Sequence, residues 1–172
     1  MRSLWSESSQ GGGEHHALLR ADQSIFLGEG AFSMISGEID TLLELARWTS
    51  THRNSRSAIR QLAGTEENYL LFIRELDRIE SQGFRARAQH AEVTLTLVEW
   101  LAALDYFQWR CAYCQEKPFQ VMSHYLPLLQ GGMTALNCLP SCYHCRHGHK
   151  ETNERIQAYF MYVQAGKEYS LS

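Results

Sequence analysis

Two Cys-x-x-Cys pairs, Cys111/Cys114 and Cys142/Cys145, constrain the fold of this chain more than any other feature of its sequence. Such a turn points two thiolates at one place. A second turn completes the four-sulfur tetrahedron that Zn²⁺ prefers, with each ligand at about 2.3 Å. Residues 115–141 separate the pairs, which is more chain than a minimal zinc ribbon needs. The sequence therefore predicts a structural zinc site with a substructure inserted between its two halves.

Other uses of these cysteines remain open from the spacing alone. The four could form two disulfides, or one pair could act as a redox dithiol. The stretch from Met1 to Gly13 is short, polar and rich in glycine and serine, unlike an apolar signal segment. We therefore expect a reducing cytoplasm, in which structural zinc is the better interpretation. The fifth cysteine, Cys138, lies outside both pairs, and we interpret it as a small buried apolar side chain.

The charge of the chain is not that of a general nucleic-acid binder. The formal net charge is -3, and residues 84–172 carry 8 Lys and Arg against 7 Asp and Glu. Any contact with phosphates must then depend on local clusters of basic residues. No apolar run has the length of a membrane span, so we expect no membrane partner. The sequence leaves the oligomeric state open.

The chain is predicted to have three parts. Residues 1–16 are expected to form a flexible tail, residues 17–83 a helical region of unknown role, and residues 84–172 a module built around the cysteines. Together they predict an α+β protein.

Two helices are predicted in the first half of the chain. Ala31 to Trp48 has apolar residues near the helical period, and Thr65 can cap a second helix that Gly83 ends. A polar loop, Thr49 to Ser57, is expected between them. After the second helix, Arg85 and Arg87 form a short basic stretch that is either a solvated connector or a phosphate-contacting segment.

A third helix start is marked by a capping box. The Thr96 hydroxyl can accept from the Glu99 amide while the Glu99 carboxylate accepts from the Thr96 amide. The helix should run to about Phe107 and deliver the chain to the first cysteine. Its apolar residues are expected to form the wall on which the zinc site rests: Trp100, Leu101, Leu104 and Phe107.

The inserted segment is predicted to be a small hairpin followed by a helix. Phe119 to Tyr125 favours a strand that ends at His124, Gln130 to Met133 favours a turn, and Leu136 to Leu139 favours a second strand closed by Pro140. A helical segment should begin at the second cysteine pair. A last amphipathic helix should follow, with its apolar face formed by Ile156, Tyr159, Phe160 and Val163.

In this order of residues the chain resembles the HNH endonuclease family, in its zinc-stapled branch with two Cys-x-x-Cys pairs. The resemblance covers roughly residues 85 to 155. It is carried by Cys111-Ala-Tyr-Cys114, His124, Pro127, Gly131-Gly132, Asn137, Cys142-Tyr-His-Cys145 and Lys150. Several unrelated residue types fall in order at workable gaps, which makes the match specific.

The resemblance implies a ββα-metal fold that cuts phosphodiester bonds, most often in double-stranded DNA. His124 would be the general base, since an imidazole with a pKa near about 6.5 can take a proton from water. Asn137 would orient the His124 loop through a backbone contact, and the four cysteines would hold Zn²⁺ away from the chemistry. A second divalent ion, Mg²⁺ or a transition metal, would stabilise the charge on phosphate. Arg85, Arg87, Arg146 and Lys150 are the expected nucleic-acid contacts.

Two positions depart from the family pattern. An acidic metal ligand commonly precedes the base, and this chain has Ser123 there; Asn or His commonly follows the last cysteine, and this chain has Arg146. His147 or His149 are the predicted replacements, and imidazole suits a softer ion such as Mn²⁺ or Ni²⁺. Two other hypotheses therefore stand beside the nuclease. One is a degenerate HNH-like zinc module that binds nucleic acid or a protein without cutting, and the other is an unrelated zinc-stabilised interaction protein.

Overall fold

Seven helices and one two-stranded sheet make up the part of the chain that the structure describes. This structure is a computed structural model and describes residues 36–52, 55–146 and 152–169. The elements in chain order are α1 (Ser36–Thr51), α2 (Arg56–Ala63), α3 (Glu66–Ala88), α4 (Leu97–Tyr106), β1 (Val121–His124), α5 (Leu128–Gly131), β2 (Cys138–Ser141), α6 (Tyr143–Arg146) and α7 (Glu154–Tyr169). The predicted α+β class is confirmed. The predicted tail, residues 1–16, lies outside the described residues.

Helix α3 begins as predicted and ends later than predicted. The Thr65 side chain accepts from the Asn68 amide at 3.2 Å. Gly83 does not end the helix, which continues to Ala88. A glycine inside a helix costs about 1 kcal/mol, and the fully buried Ala86 packs the last turns against the core. Tertiary packing therefore outweighs the local preference, and the expected boundary at residues 83 and 84 falls inside one continuous helix.

The predicted polar loop at residues 49–57 is wrong at both ends. Helix α1 extends to Thr51, and α2 begins at Arg56 after an extended Ser55. Helix α2 was not predicted at all. Only two of its residues, Ile59 and Ala63, are buried, and they lie one turn apart. So short an apolar stripe acquires its structure from packing against α1 and α3.

Helix α4 connects the two halves of the described chain. The predicted capping box is present: Glu99 Oε2 accepts from the Thr96 amide at 2.8 Å, and Thr96 Oγ1 accepts from the Glu99 amide at 3.2 Å. The helix packs against α1 and α3 on one side and β2 on the other. All four residues of the predicted wall are buried: Trp100, Leu101, Leu104 and Phe107.

A buried glutamate holds α3 against α4. Glu75 is fully buried, and its two carboxylate oxygens accept from Arg74 Nε at 2.9 Å, Arg78 Nε at 2.8 Å and Trp100 Nε1 at 3.0 Å. A carboxylate removed from water is stable only when such donors satisfy it. Glu75 therefore fixes the rotation of α3 relative to α4.

The small sheet is shifted from its predicted place. Strands β1 and β2 are antiparallel, and His124 pairs with Cys138. The second strand begins two residues later than expected and contains Pro140, which a two-stranded sheet tolerates because each strand has a free edge. Helix α5 occupies much of the predicted turn, and Gly132 ends it with a φ of 65°. None of the helices in the described ranges is long and apolar enough to cross a lipid bilayer.

Candidate functional site

The four paired cysteines come together in space. The Sγ atoms of Cys111, Cys114, Cys142 and Cys145 all lie within 4.8 Å of one another. Ligands at about 2.3 Å in a tetrahedron would stand about 3.8 Å apart, so a small inward movement completes a zinc site. All five cysteines of the chain have free thiols. The four are thus positioned to bind a metal ion such as zinc.

Backbone hydrogen bonds shape both halves of the cluster. Cys111 donates from its amide to Lys117 O at 2.9 Å, and its carbonyl accepts from Gln115 N at 2.8 Å, which closes the first turn. The Cys145 amide donates to the Cys142 sulfur at 3.5 Å. Asn153, just before α7, donates to the Ala112 carbonyl at 2.8 Å and ties the last helix to the first turn.

The chemistry of the four sulfurs fits a cation. The pKa of the Cys145 thiol is raised to about 12. The largest cause is burial, and the hydrogen bonds and charges of the neighbouring cysteines add to it. Thiolates are the form that binds a metal, and a divalent cation replaces their protons when it binds. The residues present therefore fit a zinc ion, which would supply structural stability.

Cys138 has no part in this cluster. It is fully buried, as predicted, and burial raises the pKa of its thiol to about 12. We expect Cys138→Ala to lower the free energy of unfolding by about 1 kcal/mol, because a small apolar side chain is lost from the core and no ligand is removed. Denaturant unfolding with zinc quantification measures this. A loss of bound zinc in the variant would contradict the assignment.

A cleft of about 480 Å³ opens beside the end of β1. Helix α3 lines one wall with Gln82 and Arg85, and α6 contributes Arg146. Residues 122–128, which contain His124, form the rest of the lining. The structure thus brings the predicted base together with two of the four predicted nucleic-acid contacts.

Asn137 holds the loop that follows His124. Its side chain is buried; Oδ1 accepts from the Leu126 amide at 2.6 Å, and Nδ2 donates to Gly132 O at 2.7 Å and to Leu126 O at 3.2 Å. A Cβ on Gly131 would lie 2.5 Å from the Asn137 carboxamide, so only glycine leaves room for it. Asn137 therefore bonds to the backbone on both sides of helix α5, at Leu126 and at Gly132.

The two arginines of the cleft are available to an external anion. Arg85 and Arg146 are exposed, and neither forms an ion pair with any described residue. Arg87 differs, because it does not line the cleft and its guanidinium lies back against Gly83. The remaining predicted site residues, His147, His149 and Lys150, lie outside the described residues.

Ser123 does not replace the acidic ligand of the family pattern. It is buried, and its hydroxyl donates to the Leu139 carbonyl at 3.4 Å. Within the described ranges, the four cysteines are the one group of three or more potential metal ligands. The described residues therefore bring together no second group of three or more His, Cys, Asp or Glu side chains.

Gln82 is the cleft residue that the sequence analysis missed. It precedes Arg85 by three positions, which places both on one side of a helix. The three-residue spacing between Gln82 and Arg85 was not recognised, because a helix that ended at Gly83 would not contain Arg85.

No protein-family model, curated protein or solved structure matches this chain. The resemblance to the HNH family therefore depends on the quoted residues alone.

Proposed function

We propose that this protein is a metal-dependent HNH-type endonuclease that hydrolyses phosphodiester bonds in DNA, with His124 as the general base. The observation that carries the proposal is the position of His124 in a cleft that Arg85 and Arg146 also line. A proton acceptor in the same cleft as two guanidinium groups that pair with no described carboxylate suits an anionic substrate that must be attacked by water.

The chain's own residues suit the chemistry of hydrolysis. His124 would take a proton from water while the water oxygen forms a bond to phosphorus and the bond to the leaving oxygen breaks. The arginines would hold the negative charge of the non-bridging oxygens, which grows in the transition state. Asn137 would keep the His124 loop in place through its contacts with the Leu126 backbone.

The divalent ion that the resemblance implies is part of the proposal. Such an ion would add charge stabilisation at the phosphate when bound. The cysteine cluster is the one group of three or more His, Cys, Asp or Glu side chains among the described residues, and His147 and His149 remain the predicted ligands of the second ion.

A second candidate function is a zinc module that binds nucleic acid without cutting it. Burial of Ser123 at the position of a usual acidic ligand favours this candidate. The arginines of the cleft would serve binding equally well, and His124 would then be dispensable. The two candidates differ in whether the plasmid backbone is broken.

We expect the purified protein to nick supercoiled plasmid in Mg²⁺, Mn²⁺ or Ni²⁺ and to be inactive in EDTA. His124→Ala should lower the rate by about 10² or more, because the proton acceptor is lost. His52→Ala is the matched control, since His52 is exposed at the end of α1 and should leave the rate unchanged. Gel separation of nicked and linear DNA measures the result. Protein with one bound zinc that cuts in none of these ions would favour the second candidate.

Charge reversal is expected to affect DNA binding more at Arg85 than at Arg87. Arg85→Glu is expected to weaken duplex DNA binding and to lower the slope of log K against log salt by about 1, because one phosphate contact is lost. Arg87→Glu is the matched control and should have the smaller effect, since Arg87 does not line the cleft. Fluorescence anisotropy across a salt series measures both. An unchanged salt slope in Arg85→Glu would assign the stretch to a plain connector.

A further inference from the structure

The face of α3 that lines the cleft is set by buried contacts earlier in the same helix. Glu75, Arg78, Gln82 and Arg85 follow one another at intervals of three, four and three positions, which places them along one side of a helix. Glu75, at the start of this row, is fully buried, and its carboxylate accepts a hydrogen bond from the Trp100 indole of α4. The rotation that satisfies Glu75 therefore also directs Gln82 and Arg85 to the cleft.

Arg78, in the middle of this row, contacts the segment that leads into β1. Its Nη1 donates to the Gln120 carbonyl at 3.4 Å, and its guanidinium lies 4.8 Å from the centre of the Phe119 ring. The Gln120 side chain in turn accepts from the Tyr143 amide, at the start of α6, at 3.0 Å. Helix α3, the chain leading into β1 and helix α6 are thus linked by direct hydrogen bonds.

The side chain of Gln82 is free to bind a ligand. It is partly buried, it lines the cleft, and it makes no side-chain hydrogen bond to any described residue. A carboxamide nitrogen offers two donors. Among the described residues, the lining of the cleft includes two arginines and no carboxylate. The surroundings of Gln82 therefore favour an anion as the group that it contacts.

We propose that Gln82 is a phosphate-binding residue of this cleft. Its side-chain amide donates a hydrogen bond to a non-bridging phosphate oxygen of a DNA strand that lies between Arg85 and Arg146. The choice of DNA as the ligand rests on the proposed function. The contact comes from a helix that begins well before the zinc-stapled module, so the helical region takes part in holding the substrate.

The test is binding of a short labelled DNA duplex to the zinc-loaded protein, without chelator and without any added divalent ion, measured by fluorescence anisotropy over a salt series. Gln82→Ala should raise Kd about tenfold or more, which corresponds to one hydrogen bond to a charged group. The salt slope should stay at the wild-type value because no charge is removed. Gln82→Glu keeps the shape and should raise Kd further, since a carboxylate repels phosphate. Gln61→Ala, on the exposed face of α2, is the matched control and should leave Kd unchanged.

A wild-type Kd for Gln82→Ala, or equal Kd values for the alanine and glutamate variants, would overturn the inference. Wild-type protein that binds no DNA would overturn it together with the proposed function. Far-UV circular dichroism of each variant shows that the fold is retained. Because no catalytic divalent ion is added to the assay, its outcome is independent of cutting. Protein that binds but never cuts would sink the nuclease proposal and still leave the role of Gln82 to be decided by these Kd values.

Discussion

Cys142→Ala is expected to unfold the region that contains the sheet and both cysteine turns. Three sulfurs hold zinc far less well than four, and binding of the metal is coupled to folding of its site. The strands that depend on it have four residues each, and a two-stranded sheet is marginal without further support. The free energy lost is comparable with the whole stability of a small domain, about 5–15 kcal/mol.

Far-UV circular dichroism, thermal melting and zinc content together measure this expectation. Cys138→Ala is the matched control, since it removes a buried thiol from β2 that is outside the cluster. A chelator added to the wild-type protein should reproduce the behaviour of Cys142→Ala. A normal melting temperature in the zinc-free variant would show that the cysteines contribute little to the fold.

Glu75→Ala is expected to lower the free energy of unfolding by about 3–5 kcal/mol. The substitution leaves the Trp100 indole nitrogen without its acceptor and the largely buried Arg78 without its counter-ion. Removing one partner of a buried charged pair is costly because the other stays behind uncompensated. Glu75→Gln should cost less, since the amide oxygen can still accept from the indole.

Urea denaturation of both variants measures the difference. Asp77→Ala is the matched control on the same helix. Asp77 pairs with Arg56 at 3.3 Å with both side chains more than half exposed, and such surface pairs contribute about 0–1 kcal/mol. A Glu75→Ala variant no less stable than Asp77→Ala would mean that water replaces the lost carboxylate.

The features that the sequence predicted well are those decided by local chemistry. The caps at Thr65 and Thr96 each depend on a threonine hydroxyl that accepts from the backbone amide three residues later, and both caps are present. The four cysteines, predicted to meet because both pairs have the Cys-x-x-Cys spacing, do lie together. His124 was placed correctly at the end of its strand because the strand is bounded by the apolar pattern and by the loop with Pro127.

The features that were missed are decided by packing between distant segments. Nothing local separates Glu75 from the exposed acidic residues of a helix, and only the position of Trp100 makes its burial stable. Gly83 ends no helix because the core continues past it. Pro140 lies inside β2 because that strand has a single neighbour, which no local pattern reveals. Gln82 was overlooked because the predicted helix ended at Gly83 and left out Arg85, the residue with which Gln82 shares a face.

The continuity of α3 also bears on how this protein can be divided. A fragment beginning at residue 84 would retain every cysteine and His124, yet it would lack Glu75, Arg78 and Gln82. The indole of Trp100 and the carbonyl of Gln120 would then lose their partners across the helix interface. The part of the chain built around the cysteines therefore depends on α3 for these contacts, and a fragment meant to preserve the cleft has to include α3 as well as α4.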